Sequence, residues 1–199
     1  MRLPSESKQQ LFLKNLWSEN PVMFSGLGIF LAVAGTATVS QAFFLGAIVL
    51  LLLLFNSLVS AVVGELLQKK VGLWPQVILT SLVLSALSLF LTNAFAALPE
   101  NTVILYALLA ASPLVYSRSQ LLSYSTTIDR ALFDAAGTGV GTVAVLLALA
   151  LVRQLAGQGR LANLIVFPRA PWPLLNTMFG GILLTGILLV IFNLVKYRK

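Results

Sequence analysis

The sequence predicts an all-α integral membrane protein. Six transmembrane helices form two inverted three-helix repeats, with helices 1 and 4 short or broken. Three observations carry that prediction. First, 58% of the 199 residues are hydrophobic and only 10% are charged, against roughly a quarter charged in a soluble domain. Second, long charge-free runs separate the charges: Glu19 to Glu65, Lys70 to Glu100, Glu100 to Arg118, Asp134 to Arg153 and Arg169 to Lys196. A bilayer core takes about 20 apolar residues per helix, so the first run, about twice that length, folds back once and the total is six spans. Third, the basic residues divide unevenly between the two sides that six spans define.

Residues 1–20 read as a polar, basic cytoplasmic arm. MRLPSESKQQLFLKNLW has no apolar core before a small-residue cleavage site, so it does not resemble a signal peptide. The spans follow at 21–37, 42–64, 75–97, 102–117, 131–153 and 174–195. Gly, Thr, Ser and Gln around residues 35–41 supply the first turn, LQKKVGLWP the second connection, and Leu98-Pro99-Glu100-Asn101 the third. SRSQLLSYSTTIDR is a longer polar connection. RQLAGQGRLANLIVFPRAPWP contains an apolar patch suited to the membrane interface, with Trp172 as an anchor. The chain is therefore one membrane domain, 1–199: the arm, a first repeat at 21–97 and a second at 98–199.

Arg2, Lys8, Lys14, Lys69, Lys70, Arg118, Arg130, Lys196, Arg198 and Lys199 fall on the side of the termini, and only Arg153, Arg160 and Arg169 on the other. The positive-inside rule then places both termini in the cytoplasm. The net charge of +7 is accounted for as a topology signal, and no nucleic-acid partner is implied.

Spans 1 and 4 occupy matching positions in the two halves. The first is interrupted by Gly26, Gly28 and Gly35, the second by Ser112-Pro113. Interrupted segments at corresponding places of inverted halves point to a midplane site, because unpaired backbone is tolerated only within protein or beside a cavity. Taken singly, Gly28, Gly35 and Pro113 are better explained by close packing or a kink; it is their matched placement in both halves that points to a site.

The chain has no cysteine and no histidine. That excludes disulfides, Cys-ligated iron–sulfur clusters, His-ligated haem or zinc, and Cys or His catalysis by this chain alone. Lys69 and Lys70 lie in a loop and Ser112 and Ser117 have no base to activate them, so no self-contained active site is evident. No catalytic, cofactor-binding or metal-ligating residue is assigned. Asp134 reads either as a functional intramembrane carboxylate or as a first-turn residue favoured by the helix dipole. Gly137, Gly139 and Gly141 permit close helix approach and are not a phosphate loop, since no Lys-Ser/Thr follows. Arg118 and Arg153 either snorkel to an interface or pair inside the protein.

Four stretches in order carry a resemblance: Leu16-Trp17-Ser18-Glu19-Asn20-Pro21; Gly26-Leu27-Gly28 with Leu31-Ala32-Val33, Thr36 and Thr38; Phe133 to Gly141; and Val152 to Gly159. They resemble the membrane subunits of the Rnf and Na⁺-translocating NADH:quinone reductase complexes, and within that family the RnfE/NqrD branch. The resemblance implies a subunit of an ion-translocating electron-transport complex in the bacterial inner membrane. It also implies a hetero-oligomer with an RnfA/NqrE-like sister subunit and flavin-bearing subunits. In the family, cysteines on the broken helices of the paired subunits hold an intramembrane [2Fe–2S] cluster. Gly28 and Pro113 stand at those cysteine positions here, and Gln120 and Gln154 stand where the family carries acids. The cluster is therefore expected to be absent, leaving a scaffold or ion-path role. The alternatives are an inverted-repeat transporter that has lost the redox role and an assembly protein. Neighbouring genes would discriminate them: flavin-binding and ferredoxin-like subunits nearby would favour the first reading, and their absence the transporter.

Overall fold

The computed structural model describes residues 7–66, 112–118, 127–161 and 164–197, together with residues 78, 81–83, 85, 86 and 109. Most of the expected spans at 75–97 and 102–117, and the connections between them, lie outside the described residues.

The arm opens as helix α1 (Lys8–Leu13), started by a capping box. The Ser7 Oγ accepts from the Gln10 N–H at 3.2 Å, and the Gln10 Oε1 accepts from the Ser7 N–H at 3.0 Å. It widens into a π-helical turn, Lys14–Ser18, closed by the Glu19 N–H donating to the Lys14 carbonyl at 2.8 Å. The wider turn carries Asn15 into the interior, where it is buried.

The expected first span is two short helices, α2 (Pro21–Ser25) and α3 (Ile29–Ala34). Asn20 caps α2 by accepting from the Val22 N–H at 3.0 Å, and Pro21 takes the first position, where no N–H is needed. Gly26 (φ 64°) then ends α2 and Gly28 (φ 87°) begins α3. Two left-handed residues so close together cannot continue a right-handed helix, and glycine adopts that backbone without a Cβ penalty. The predicted interruption is thus a complete break.

Helix α4 (Val39–Leu66) follows a turn in which the Thr38 Oγ1 accepts from the Gln41 N–H at 3.2 Å. A short helix, α5 (Pro113–Arg118), starts on Pro113 and packs on α4. Helix α6 (Ile128–Gln158) has 31 residues and ends on Gly159. An antiparallel hairpin, β1 (Arg160–Leu161) with β2 (Leu164–Ile165), pairs Arg160 with Ile165 and Leu161 with Leu164. This small sheet is the one departure from an all-α chain among the described residues. A 3₁₀ turn at Pro173–Asn176 leads into α7 (Met178–Tyr197).

Three helices among the described residues are long and apolar enough to cross a bilayer: Val39–Val62, Ile128–Gln158 and Met178–Lys196. They correspond to the expected spans 42–64, 131–153 and 174–195. The last starts later than expected because Pro173 begins a 3₁₀ turn. α4 and α6 form the central pair, with Val49, Leu52 and Leu53 in one buried cluster with Val145, Leu146 and Leu149. The Ser57 Oγ reaches across from α4 to the Ala131 carbonyl at 2.8 Å. α7 is peripheral: 17% of its span is buried, against 50% and 56% for the other two. It packs on α2 and α3, and near its end the Lys196 ammonium donates to the Ser18 carbonyl at 2.8 Å and lies 4.1 Å over the Phe24 ring.

Candidate functional site

Three places concentrate buried polar chemistry: the helix break, the seam between arm and α6, and the far end of α6.

At the break, Gly28 lies against the residue that follows Pro113. A Cβ placed on Gly28 would sit 3.2 Å from the Leu114 Cδ2. The two interruptions singled out in sequence therefore meet in space, between the α2–α3 break and the start of α5. Ser112 stands just before α5, fully buried, with its hydroxyl unpartnered among the described residues. Buried hydroxyls without a partner are uncommon in folded proteins. Neither Gly28 nor Pro113 offers a metal ligand, and a Cβ at Gly28 would press on the Leu114 side chain. Among the described residues no group of three or more His, Cys, Asp or Glu lies together. These residues do not fit a Cys-ligated cluster.

At the arm seam, Asp134 is buried and its Oδ1 accepts a short hydrogen bond from the Asn15 amide. This differs from the first-turn reading. α6 begins at Ile128, so Asp129 occupies the first turn and Asp134 lies further in, about 9 Å along the axis at 1.5 Å per residue. The Asn20 amide donates to the Thr138 carbonyl at 3.4 Å. The Thr138 hydroxyl is buried and unpartnered among the described residues. The glycines of α6 make the seam possible. A Cβ on Gly137 would lie 2.5 Å from the Phe12 carbonyl oxygen, and one on Gly141 2.5 Å from that of Leu16. Gly139 turns the other way and admits Leu50 of α4. The close approach anticipated from these glycines is thus two contacts, one to the arm and one to α4.

At the far end of α6, Arg153 does not snorkel. It is 2% exposed. Its Nη1 donates to the Val33 carbonyl at 2.7 Å and to the Thr36 Oγ1 at 2.8 Å. Its Nε donates to the Leu175 carbonyl at 3.0 Å and its Nη2 to the Thr177 carbonyl at 3.2 Å. Val33 is in the last turn of α3, whose final carbonyls have no helical partner. One guanidinium thereby ties the end of α3 to the entry of α7. Gln154 continues the clasp, its Oε1 accepting from the Val39 N–H at 3.0 Å at the start of α4. The Gln158 amide donates to the Ala37 carbonyl at 3.2 Å and the Asn176 Oδ1 at 3.0 Å. The side chains of Ser117 and Arg118, and residues Lys69, Lys70 and Gln120, lie outside the described residues.

Sequence reasoning did not single out Asn15, and it named Thr36 only within the stretch that carries the resemblance, without a partner. A signal was present for Asn15, a carboxamide beside Leu16-Trp17 in an arm otherwise read as solvated.

The family profile described as "Rnf-Nqr subunit, membrane protein" matches residues 8–195. The RnfE protein of the proton-translocating ferredoxin:NAD(+) oxidoreductase complex of Clostridium ljungdahlii is 25% identical over 183 residues, 91% of this chain and 86% of that protein. The NqrD protein of the Na(+)-translocating NADH-quinone reductase of Chlamydia pneumoniae is 27% identical over 164 residues, 82% of this chain and 77% of that protein. The RnfE protein of the ion-translocating oxidoreductase complex of Shewanella frigidimarina is 28% identical over 153 residues, 76% of this chain and 66% of that protein.

Proposed function

The chain belongs to the Rnf-Nqr family of membrane subunits, and from that premise we propose that it serves as an RnfE/NqrD-type subunit of an ion-translocating electron-transport complex, as scaffold or ion path, without holding an iron–sulfur cluster. The observation that carries the reading is the meeting of the two helix breaks at Gly28 and Leu114. An interrupted pair in the interior is where a membrane protein presents free backbone groups to a passing ion. The buried, unpartnered Ser112 hydroxyl at the same place supports it. The two glycyl and prolyl positions supply no electron carrier, so electrons in the complex take a route through other subunits.

The six helices form two inverted repeats, and the chain works in the bacterial inner membrane with both termini in the cytoplasm. Its partners are a sister subunit of the same family and flavin-bearing subunits. The nearness of the arm to the end of α7, through Lys196 and Ser18, supports the shared side.

Three measurements test these statements. A reporter fused after Lys199 is expected to give a cytoplasmic signal, and a periplasmic signal refutes the orientation. Anaerobically purified chain is expected to lack stoichiometric iron, cluster absorbance and a cluster EPR signal. Iron bound one-to-one by the chain alone refutes the ligand-free reading. Gentle detergent extraction that brings down flavoprotein subunits supports the complex, and a chain that purifies alone from its native membrane counts against it.

A further inference from the structure

The hairpin between α6 and α7 has a composition and placement that the subunit role does not use. Its strands and the segment after them expose large apolar side chains: Leu164 is 72% exposed, Ile165 80% and Trp172 67%, with Val166 and Phe167 about half exposed. This exposure is not slack chain. The Gly159 carbonyl accepts from the Val166 and Phe167 N–H groups at 2.9 and 2.8 Å, and the Trp172 N–H donates to the Ala156 carbonyl at 2.9 Å. The segment is pinned to the last turn of α6 and holds its apolar side chains outward.

Two cations flank that surface. A Cβ on Gly159 would lie 3.4 Å from the Ala170 Cα, so the chain crosses itself there. Arg160 and Arg169 each stand one residue from the crossing, their side chains exposed and without a hydrogen-bond or ion-pair partner among the described residues. No Asp or Glu occurs anywhere after Asp134. The apolar surface also continues onto the start of α7, where Met178 and Phe179 are 69% and 62% exposed.

We propose that this hairpin is a seat for anionic phospholipid. Leu164, Ile165 and Phe167 enter the acyl boundary, Trp172 lies at headgroup level, and Arg160 and Arg169 hold the phosphate. The headgroup region is the environment that offers apolar depth and negative charge side by side, and it is where tryptophan concentrates. With no carboxylate after Asp134 in the sequence to neutralise them, the two exposed arginines call for an anionic group from outside the chain, and a phosphodiester at headgroup depth supplies it. The assignment does not depend on which ion or electron carrier the complex uses.

The test uses the full chain in nanodiscs, with Trp17→Phe and Trp74→Phe leaving Trp172 as the sole tryptophan. Lipids brominated near the headgroup are expected to quench Trp172 more than lipids brominated deep in the chain. Retention of phosphatidylglycerol over phosphatidylcholine, read by native mass spectrometry, is expected to fall about fivefold for each of Arg160→Gln and Arg169→Gln. Equal thermal unfolding of the arginine variants shows that the fold is kept, and the quenching is read with both arginines intact. Trp172 quenched by aqueous iodide and untouched by brominated lipid overturns the proposal. So does lipid quenching that disappears when the native complex is reconstituted, because a protein then covers the hairpin. Unchanged lipid preference in the double variant overturns the role of the arginines.

Discussion

Arg153→Met is expected to destabilise the protein by about 2–5 kcal/mol. Four hydrogen bonds from the guanidinium reach Val33, Thr36, Leu175 and Thr177. Bonds to a charged partner are worth about 1.5–3 kcal/mol each. Against that gross gain stands the cost of burying the charge, several kcal/mol even after relaxation, which methionine recovers. What remains is the penalty for carbonyls left without a donor where water cannot replace it. Arg153→Lys keeps the charge but not the planar fork, and three donors on one nitrogen cannot span acceptors on two sides of the site. It is expected to fall between wild type and Arg153→Met. The check is reversible unfolding in mixed micelles. The absence of native cysteine allows a second readout: a reporter Ala37→Cys, in the turn between α3 and α4, is expected to react faster with maleimide when Arg153 is lost. A change below about 1 kcal/mol, less than one ordinary charged hydrogen bond, or unaltered Ala37→Cys reactivity, refutes the clasp.

The clasp also shows where reading the sequence stops. Arg153 was recognisable as an unusual charge at the end of an apolar run, yet its partners are mostly backbone carbonyls, which have no residue signature, and those on Val33 and Thr36 lie far away along the chain. Long helices were legible because charge-free runs of the right length leave lipid few other solutions; α4 and α6 are where those runs placed them. The break at Gly26 and Gly28 was legible for the opposite reason, since paired glycines interrupt an otherwise apolar segment. The start of α6 was not. Ile128, Asp129 and Arg130 look like the end of a polar loop, but a helix of 31 residues is about 46 Å long against a hydrocarbon core of about 30 Å. That excess length leaves room for charged residues at the helix ends, outside the apolar layer. A start at 131 is what admits the first-turn alternative for Asp134, whereas the helix from Ile128 carries that residue into the interior beside Asn15. The meeting of Gly28 with Leu114 depends on the spans between them, so sequence placed both breaks without showing their contact.

The glycine stripe of α6 carries the second large expectation. Gly137→Leu and Gly141→Leu are each expected to cost about 1–3 kcal/mol, the usual penalty of overpacking, and to lift the arm off α6. At both positions the added carbon meets backbone of the arm, Phe12 or Leu16, so rotation of a side chain cannot relieve it. Some of the cost is returned because glycine in a helix interior is about 1 kcal/mol worse than alanine, which is why Gly→Ala at the same positions is expected to do less. Ala144→Leu adds bulk on an exposed face of α6 and is expected to be neutral. Gly139→Leu disturbs α4 at Leu50 instead and leaves the arm in place. A double-mutant cycle with Asn15→Ala separates the two mechanisms. Asn15 donates to Asp134 only while the arm is seated. Its removal therefore costs little further in Gly137→Leu or Gly141→Leu and its full amount in Gly139→Leu. Additive costs in all three backgrounds would show that the arm stays bound, and that the stripe at Gly137 and Gly141 serves the packing of α6 without holding Asn15 against Asp134.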